Sequence, residues 1–413
     1  MPRFLTLDDL DVEGKVVLVR VDFNSPVDPE TKEVLDDTRI RAHGESTIKE
    51  LSERGAKVVV LAHQGRPGEP DFIPLKQHAE ILSRILERPV KYVPDLYGEE
   101  ARRAITELKE GEILVLENTR TYPKERKKGT PEEHARSEFV RTLATLADVF
   151  VNDAFAAAHR AHASIVGFTA VLPSAAGRIM ERELKALSRV LESPEKPCIF
   201  ILGGAKADDS LKISRYVLKN GIADYVLTGG ITGHLFLAAT GVDLGKPNME
   251  LLERQGVLDL IPGIRELMST YPGRAKVPVD VAVEFEGGRR EIPVSNLPTE
   301  HPIYDIGTET IEEYSKLIGK AKSIVVSGPP GVYERDEFSK GTRMILEAVA
   351  SSKAFSLAGG GHTVAAIEKF GLSEGISYIS TAGGALIEFL MGERLPGVAA
   401  LEEAYSRIKG KGE

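Results

Sequence analysis

CIFILGGAK, residues 198–206, joins a short apolar run to a glycine turn and a lysine. An amphipathic stretch, residues 209–219, follows this turn. A short apolar run that ends in glycine and leads into a helical pattern is typical of a buried parallel strand followed by a helix. Cys198, the only cysteine of the chain, lies in the run, so we expect it to be buried and structural.

The same alternation of apolar runs and amphipathic stretches recurs along the chain. We predict strands at residues 15–21, 57–62, 113–117, 149–152, 198–202, 225–228, 323–327, 355–357 and 378–380. We predict helices at residues 40–54, 75–86, 131–146, 180–191, 209–219, 311–318 and 339–351. This alternation indicates an α/β fold with doubly wound parallel sheets. Ligands of such sheets bind at the carboxyl ends of the strands, so the residues after each strand are candidate site residues.

Glycine is distributed unevenly, with 10 of the 39 glycines in residues 1–200 and 29 in residues 201–413. A chain of 413 residues is long enough for two or three domains. Residues 177–197 have the pattern of a long helix that ends at Ser193-Pro194, and we place the domain boundary along it. We therefore predict an N-terminal domain (1–176), a linking helix (177–197), a C-terminal domain (198–392) and a tail (393–413) that returns to the N-terminal domain.

Composition argues against several classes of protein. The formal net charge of −9 argues against a nucleic-acid-binding protein, which usually has a basic face. No apolar run approaches the roughly 20 residues of a membrane span, and Asp8, Asp9 and Asp11 interrupt any signal-type stretch at the N-terminus. We expect a cytoplasmic protein with neither nucleic-acid nor membrane partners. The sequence leaves open whether it is a monomer or a homodimer.

Four successive predicted strands of the first half lead into segments that carry an arginine. These segments are RVDFNSP (20–26), HQGRP (63–67), LENTR (116–120) and NDAFAAAHRAHAS (152–164). A single arginine after a strand is more often part of a surface ion pair. Several that converge predict a site for a small anionic substrate, because the planar guanidinium matches phosphate and carboxylate groups. His63, His159 and His162 lack the spacing of a zinc site, so we predict no metal bound by side chains.

Glycines take the equivalent positions in the second half. The segments after its strands are GGAK (203–206), TGG (228–230), GPPGVYE (328–334), GGGHT (359–363) and STAGGA (380–385). One glycine pair is explained by a tight turn alone. Five such turns predict a nucleotide cleft, because backbone N–H groups at helix starts bind phosphate without cationic side chains. Neither the P-loop motif nor GxGxxG is present, and Lys206 is the cation placed in this cleft.

The lysine-rich stretch KERKKG, residues 124–129, allows two interpretations. It could be an anion-binding patch. We favour a solvated loop before the capped helix that begins at Thr130-Pro131.

Taken together, these motifs resemble phosphoglycerate kinase, from Arg20 nearly to the C-terminus. The resemblance implies two Rossmann-like domains joined by a hinge helix, which close to transfer a phosphoryl group between 1,3-bisphosphoglycerate and Mg-ADP. It assigns the 3-phosphoglycerate side to Asp22, Phe23, Asn24, Arg39, His63, Gln64, Gly65, Arg66, Arg120 and Arg160. It assigns the nucleotide side to Lys206, Glu334, Gly359, Gly360, Gly361, His362 and Thr363. Catalytic contacts to the transferred group are implied for Arg39, Lys206, Gly383 and Gly384.

The chain departs from the usual family pattern at a few nucleotide-side positions. His362 replaces the aspartate that usually follows the third glycine, and Ser210 replaces a lysine. Ser327 replaces an asparagine, and Thr228 and Ala382 each replace a glycine. These replacements are similar to the archaeal-type branch of the family. They imply that Mg²⁺ is held mainly by nucleotide phosphates and water.

Two alternative functions remain open from the sequence. A non-catalytic nucleotide-binding regulator would keep the fold without phosphoryl transfer, although the presence of Arg39 and Lys206 argues against it. A dinucleotide-dependent dehydrogenase would also place glycine turns after strands, but it should contain GxGxxG with an acidic residue about 20 positions later.

Overall fold

The computed structural model describes residues 4–409. The chain forms two compact units, of which unit 1 comprises residues 1–185 and 394–413 and unit 2 comprises residues 186–393. The division falls within the helix Arg178–Leu191. This helix ends at Leu191, where the helical pattern predicted at residues 180–191 also ends, because the residue before Pro194 disfavours helical backbone. Residues 1–3 and 410–413, at the ends of the predicted first domain and tail, lie outside the described residues.

Unit 1 is built on a seven-stranded parallel sheet. Its strands are β1 (Leu5–Thr6), β2 (Val16–Arg20), β3 (Lys57–Leu61), β4 (Val90–Tyr92), β5 (Ile113–Val115), β6 (Val149–Asn152) and β7 (Ser174–Ala176). Their order across the sheet is β1-β7-β6-β2-β3-β5-β4. Because β6, β2, β3 and β5 are consecutive neighbours, the four arginine-bearing segments leave the sheet side by side.

Helices cover both faces of this sheet. They are α1 (Thr38–His43), α2 (Lys49–Glu53), α3 (Lys76–Leu86), α4 (Glu99–Thr106), α5 (Pro131–Ala135), α6 (Glu138–Ala144), α7 (Ala163–Val166) and α8 (Arg178–Leu191). Val17 and Val19 of β2 belong to one hydrophobic cluster, and Leu18 belongs to the cluster on the opposite face. This alternation explains why β2 is apolar throughout, since both of its faces are buried.

Unit 2 contains a six-stranded parallel sheet and a smaller three-stranded antiparallel one. The strands are β8 (Cys198–Leu202), β9 (Tyr225–Thr228), β10 (Ala275–Lys276), β11 (Asp280–Phe285), β12 (Gly288–Pro293), β13 (Ile303–Ile306), β14 (Ser323–Ser327), β15 (Phe355–Gly359) and β16 (Tyr378–Ser380). The parallel sheet has the order β10-β9-β8-β14-β15-β16. The five glycine-bearing segments therefore follow five adjacent strands.

The helices of unit 2 connect these strands, and one further helix belongs to unit 1. They are α9 (Ala207–Lys219), α10 (Gly230–Ala239), α11 (Lys246–Arg254), α12 (Ile261–Thr270), α13 (Thr308–Ile318), α14 (Lys340–Ser351), α15 (Gly361–Lys369), α16 (Gly384–Leu390) and α17 (Pro396–Lys409). Helix α17 packs in unit 1, where Gly397 N donates to Ala158 O at 2.8 Å and Ala400 joins a small cluster with Ile165. Among residues 4–409, no helix has the length and apolarity to span a membrane.

The predicted α/β class with parallel sheets is confirmed. The short strands β1, β4, β7 and β10 were not predicted, and the structure differs from the prediction in two further respects. The helix predicted at residues 131–146 is two helices, because Ser137 caps α6 by accepting a hydrogen bond from Val140 N. The antiparallel sheet of β11–β13 was not predicted.

Candidate active site

Arg20 is the buried centre of the substrate side in unit 1. It is the last residue of β2, and its side chain is almost wholly buried. Its guanidinium donates to Ser164 Oγ at 2.8 Å and contacts His63 Nδ1 at 2.9 Å. The arginine thereby joins the segments that follow β2, β3 and β6.

Glu125 supplies a negative charge near this buried arginine. Its carboxylate is buried and accepts hydrogen bonds from the backbone and the hydroxyl of Ser164. Burial raises the pKa of Glu125, and the positive charge of Arg20 opposes this rise. Glu125 belongs to the stretch that we interpreted as solvated. That interpretation is wrong for this residue, although the four cations of the stretch are exposed.

A chain of hydrogen bonds fixes the residues that follow β2. Arg39 Nη1 donates to Asp22 Oδ2 at 2.6 Å, and the other carboxylate oxygen of Asp22 accepts from Asn24 N at 3.1 Å. Asn24 Oδ1 in turn accepts from Gly65 N at 2.9 Å. The side chain of Arg39 is 39% exposed, whereas that of Asp22 is 5% exposed. The buried carboxylate of Asp22 therefore holds Arg39 in place while part of the guanidinium stays accessible to a ligand.

Arg120 and Arg160 form a partly buried pair of cations beside this chain. Burial, together with the charge of Arg160, lowers the pKa of Arg120 to about 10. Burial also lowers the pKa of Arg160, whose charge environment includes Arg66 and Arg126. The positive charges of these arginines repel one another, and a bound polyanion would offset that repulsion. Their arrangement therefore favours the binding of a polyanion.

Arg126 is a member of this cluster that sequence reasoning missed. It is exposed, and its positive charge contributes to lowering the pKa of Arg120, Arg160 and His162. Within the described part of the chain, no carboxylate forms an ion pair with it. The only signal in the sequence was its position in the lysine-rich stretch.

The histidines of the cluster are neutral at physiological pH. Burial and the charge of Arg20 hold the pKa of His63 well below its ordinary value. Burial and Arg160 lower the pKa of His162 to about 3. The positive charge of the site therefore comes from its arginines.

Two predicted substrate residues have buried side chains. Gln64 is fully buried, and its amide bonds Ser25 N, Ser25 O, Asp71 O and His78 Nε2 at 2.9–3.1 Å. Phe23 is also fully buried and stacks on His78 with ring centroids 6.3 Å apart. Both side chains are committed to internal packing, so any contact of these residues with substrate involves their backbone.

Unit 2 has a cavity of about 270 Å³ at the carboxyl ends of its parallel strands. Most of the predicted nucleotide-side and catalytic residues line it, namely Lys206, Gly360, Gly361, His362, Thr363, Gly383 and Gly384. Gly203, Gly204, Asp209 and Gly328 also line it. Gly359 and Glu334 do not. Gly359 ends β15, where a Cβ would collide with Leu386, and Glu334 is half exposed with Oε1 3.4 Å from His362 Nδ1.

Glycine is required at the bottom of this cavity. Gly328 has φ +92°, and a Cβ there would collide with the carbonyl oxygen of Gly203. The two loops can approach this closely only because neither residue has a side chain. Gly360, with φ +92°, directly precedes α15. The free N–H groups in the first turn of α15 therefore lie at the cavity, at the carboxyl end of β15.

Side chains able to hold a metal are few in this cavity. In the described ranges, no group of three or more His, Cys, Asp or Glu residues could hold a metal ion. Asp209 is the carboxylate in the lining, and it has neither an ion pair nor a side-chain hydrogen bond within residues 4–409. A single carboxylate beside a phosphate-binding cavity fits Mg²⁺ that arrives with the nucleotide, because Mg²⁺ keeps most of its ligands as phosphates and water.

Comparisons with known proteins agree with this geometry. The family model described as phosphoglycerate kinase matches residues 7–393. The phosphoglycerate kinase of Methanothermobacter thermautotrophicus is 53% identical over 402 residues, which are 97% of each chain. The chain belongs to the phosphoglycerate kinase family. The crystal structure of phosphoglycerate kinase from Pyrococcus horikoshii OT3 matches with a TM-score of 0.87 and 42% identity, over 98% of this chain and all of that one.

Membership of the phosphoglycerate kinase family establishes the reaction class. The chain is a kinase that transfers phosphate between ATP and 3-phosphoglycerate. Phosphoglycerate kinases act on small-molecule substrates, with a nucleotide that generally carries Mg²⁺. The curated relatives are archaeal, as the replacements at His362 and Ser210 indicated. The dehydrogenase and the non-catalytic regulator are not supported.

Proposed function

We propose that the two units bind the two substrates by different chemistry. In unit 1, the side chains of Arg39, Arg66, Arg120 and Arg160 bind the carboxylate and phosphate groups of 3-phosphoglycerate. The observation that carries this proposal is that four arginine-bearing segments leave four neighbouring strands and bring partly buried cations together; burial and neighbouring arginine charges lower the pKa of Arg120 and Arg160. Two or more bidentate arginine contacts would fix the orientation of so small a substrate.

The residues around these arginines position them. Asp22 orients Arg39 through the 2.6 Å contact, and Asn24 ties Asp22 to the loop that carries Gly65. His63 is neutral and holds Arg20, which keeps the segments after β2 and β3 together. We assign His63 and Gln64 to this positioning role.

In unit 2, backbone N–H groups at the starts of α15 and α16 bind the nucleotide phosphates. Lys206 supplies the cation in that cavity, and Glu334 together with His362 lies at its outer side, where the nucleoside would bind. Mg²⁺ would be held by the phosphates, by water and by Asp209. Its chemistry is to neutralise charge on the phosphates.

Transfer needs positioning and stabilisation of charge rather than covalent catalysis by the protein. The acyl-phosphate P–O bond of 1,3-bisphosphoglycerate breaks as a β-phosphate oxygen of ADP bonds to the same phosphorus. Arg39, Lys206 and the N–H groups of Gly383 and Gly384 would stabilise the transferred group. Hinge closure, with α8 as its linking helix, would exclude water and prevent ATP hydrolysis.

Arg39→Ala tests this assignment. We expect kcat to fall by about a thousandfold, which is the scale of losing an arginine that stabilises the transferred phosphoryl group. Arg41→Ala is the matched control, because Arg41 is an exposed arginine of the same helix, paired with Asp37 and Glu45. Near wild-type turnover of Arg39→Ala in a coupled ATP assay would contradict the role.

Cytoplasmic location and a monomeric or homodimeric state complete the proposal. The net charge of −9 is consistent with a freely dissolved enzyme that meets its anionic substrates through local cations. Sedimentation equilibrium of the purified chain distinguishes a monomer from a homodimer.

A further inference from the structure

The lysines of the lysine-rich stretch, which the proposed phosphoryl-transfer site does not use, line a second pocket of unit 1. This pocket has a volume of about 610 Å³ and lies between the stretch, the start of α6 and the segment before α4. Four of its lining residues are exposed cations, Lys124, Lys127, Lys128 and Arg136. They are distinct from the substrate arginines.

The charge of these four cations is not neutralised locally. Across residues 4–409, none of them forms an ion pair or a side-chain hydrogen bond. The pocket contains two carboxylates, Glu133 and Glu138, and that of Glu133 already accepts a hydrogen bond from Thr130 N at 2.9 Å. Four unpaired cations around one concave surface repel one another, so an anion bound there would be stabilised by all of them.

Two tyrosines add hydroxyl donors to the same lining. Tyr97 and Tyr122 pack edge to face with ring centroids 5.9 Å apart. In the part of the chain that the structure describes, neither hydroxyl has a hydrogen-bond partner. Burial raises the pKa of Tyr97, so its hydroxyl keeps its proton and can donate. Ammonium, guanidinium and phenol groups together form a donor set that matches phosphate oxygens.

We propose that this pocket binds a small polyanion with at least two phosphate groups, at a site separate from both substrates. Its volume admits a ligand of the size of a bisphosphate or a tripolyphosphate. Several cations are needed to hold such a ligand near the surface, where water weakens each single contact.

The pocket shares a loop with the substrate cluster. Lys124 and Lys127 flank Glu125 and Arg126. Glu125 is linked to Arg20 through Ser164, and the charge of Arg126 acts on Arg160. A polyanion bound by the lysines would restrict this loop. We therefore expect its binding to change the KM for 3-phosphoglycerate more than kcat.

Calorimetric titration with inorganic tripolyphosphate tests the proposal. The full chain is first saturated with 3-phosphoglycerate and ADP in Mg²⁺-free buffer, so that both substrate sites are filled. We expect saturable binding that becomes at least tenfold weaker in Lys127→Glu/Lys128→Glu. Lys76→Glu/Lys109→Glu, which makes the same charge change at exposed positions of unit 1 outside the pocket, should bind like wild type.

The outcomes separate the proposal from general electrostatics. Equal weakening in both double variants, or no binding by wild type of either tripolyphosphate or fructose 1,6-bisphosphate, would overturn it. A parallel titration with fructose 1,6-bisphosphate distinguishes the two sources of the ligand. Binding of both probes supports recognition of phosphate groups alone, whereas binding of only one assigns the pocket to inorganic polyphosphate or to phosphorylated metabolites.

Discussion

A buried hydrogen-bond network around Arg20 holds the substrate side of unit 1 together. Arg20 and Glu125 are both buried, and Ser164 bonds to each of them. Ser164 links the two charged groups, so removing Glu125 leaves the buried N–H and hydroxyl of Ser164 without their acceptor, which costs about 1–3 kcal/mol. Glu125 therefore stabilises the fold of the site as well as its charge balance.

Glu125→Ala should lower the free energy of unfolding by about 1–3 kcal/mol, because Ser164 loses its buried acceptor. Urea denaturation measures the change. Glu132→Ala is the control, because Glu132 is an exposed carboxylate of the adjacent helix and should change stability by under about 0.5 kcal/mol. Equal stability of the two variants would show that Arg20 does not depend on Glu125.

His78 makes stability depend on pH. Burial lowers its pKa to about 4 from an ordinary value of 6.5. Its Nε2 is hydrogen-bonded with Gln64 Oε1, and its buried Nδ1 has no hydrogen-bond partner among residues 4–409. As the pH falls from 6.5 towards 4, the unfolded chain binds a proton that the folded His78 does not. Its contribution to stability is thus complete above pH 6.5 and is lost below that value.

His78→Gln should consequently lose less stability between pH 7 and pH 4 than wild type, by about 2–3 kcal/mol. Denaturation at a series of pH values measures the difference. His362→Gln, at a histidine whose side chain is 79% exposed, should follow the wild-type pH profile. The prediction is wrong if the unfolding free energy of all three proteins changes equally with pH.

For single residues, the sequence predicted a role best where the side chain suits one kind of ligand, as arginine suits anions. Arginines after strands indicated an anion site, and the structure brings Arg39, Arg120 and Arg160 into one electrostatic cluster. Glu125 could not be found in this way. It lies within a run of charged residues, and only the three-dimensional position of Ser164 shows that its carboxylate points inward.

Among the elements, the glycine turns of unit 2 depend on close backbone contact. Gly328→Ala should lower the unfolding free energy by roughly 2–4 kcal/mol, because it combines positive φ with a collision against the Gly203 carbonyl. Gly256→Ala also has positive φ but open space around its Cβ, so it should cost only about 1 kcal/mol. Thermal unfolding of both variants, with Mg-ATP affinity of the first, provides the measurement. Equal costs would mean that the loop contact is not restrictive.

Element boundaries were predictable where hydrophobicity changes abruptly. Cys198–Leu202 and Ser323–Ser327 begin and end where the sequence placed them, because each is an apolar buried run that a glycine follows directly. The antiparallel sheet was missed since β12, with the sequence GRREIP, has no apolar alternation. Its hairpin turn is formed by Glu286 and Gly287, both with positive φ. Glutamate at such a position gives no turn signal in the sequence.

At the scale of the whole molecule, the uneven distribution of glycine separates two ways of binding phosphate. Unit 1 presents guanidinium groups held by a buried network around Arg20, and unit 2 presents backbone N–H groups at glycine turns. Under the proposed assignment, this division would explain how a chain with a net charge of −9 handles two polyanionic substrates. The hinge closure that would bring the two chemistries together remains a prediction.

The central claim is that side-chain cations of unit 1 bind 3-phosphoglycerate and that unit 2 binds the nucleotide independently of them. Isothermal titration of Arg120→Ala/Arg160→Ala with each substrate separately tests it most directly. We predict that the affinity for 3-phosphoglycerate falls at least a hundredfold, which is about 2.7 kcal/mol, while the affinity for Mg-ADP stays within twofold of wild type. Unchanged 3-phosphoglycerate binding, or an equal loss of affinity for both substrates, would contradict the account.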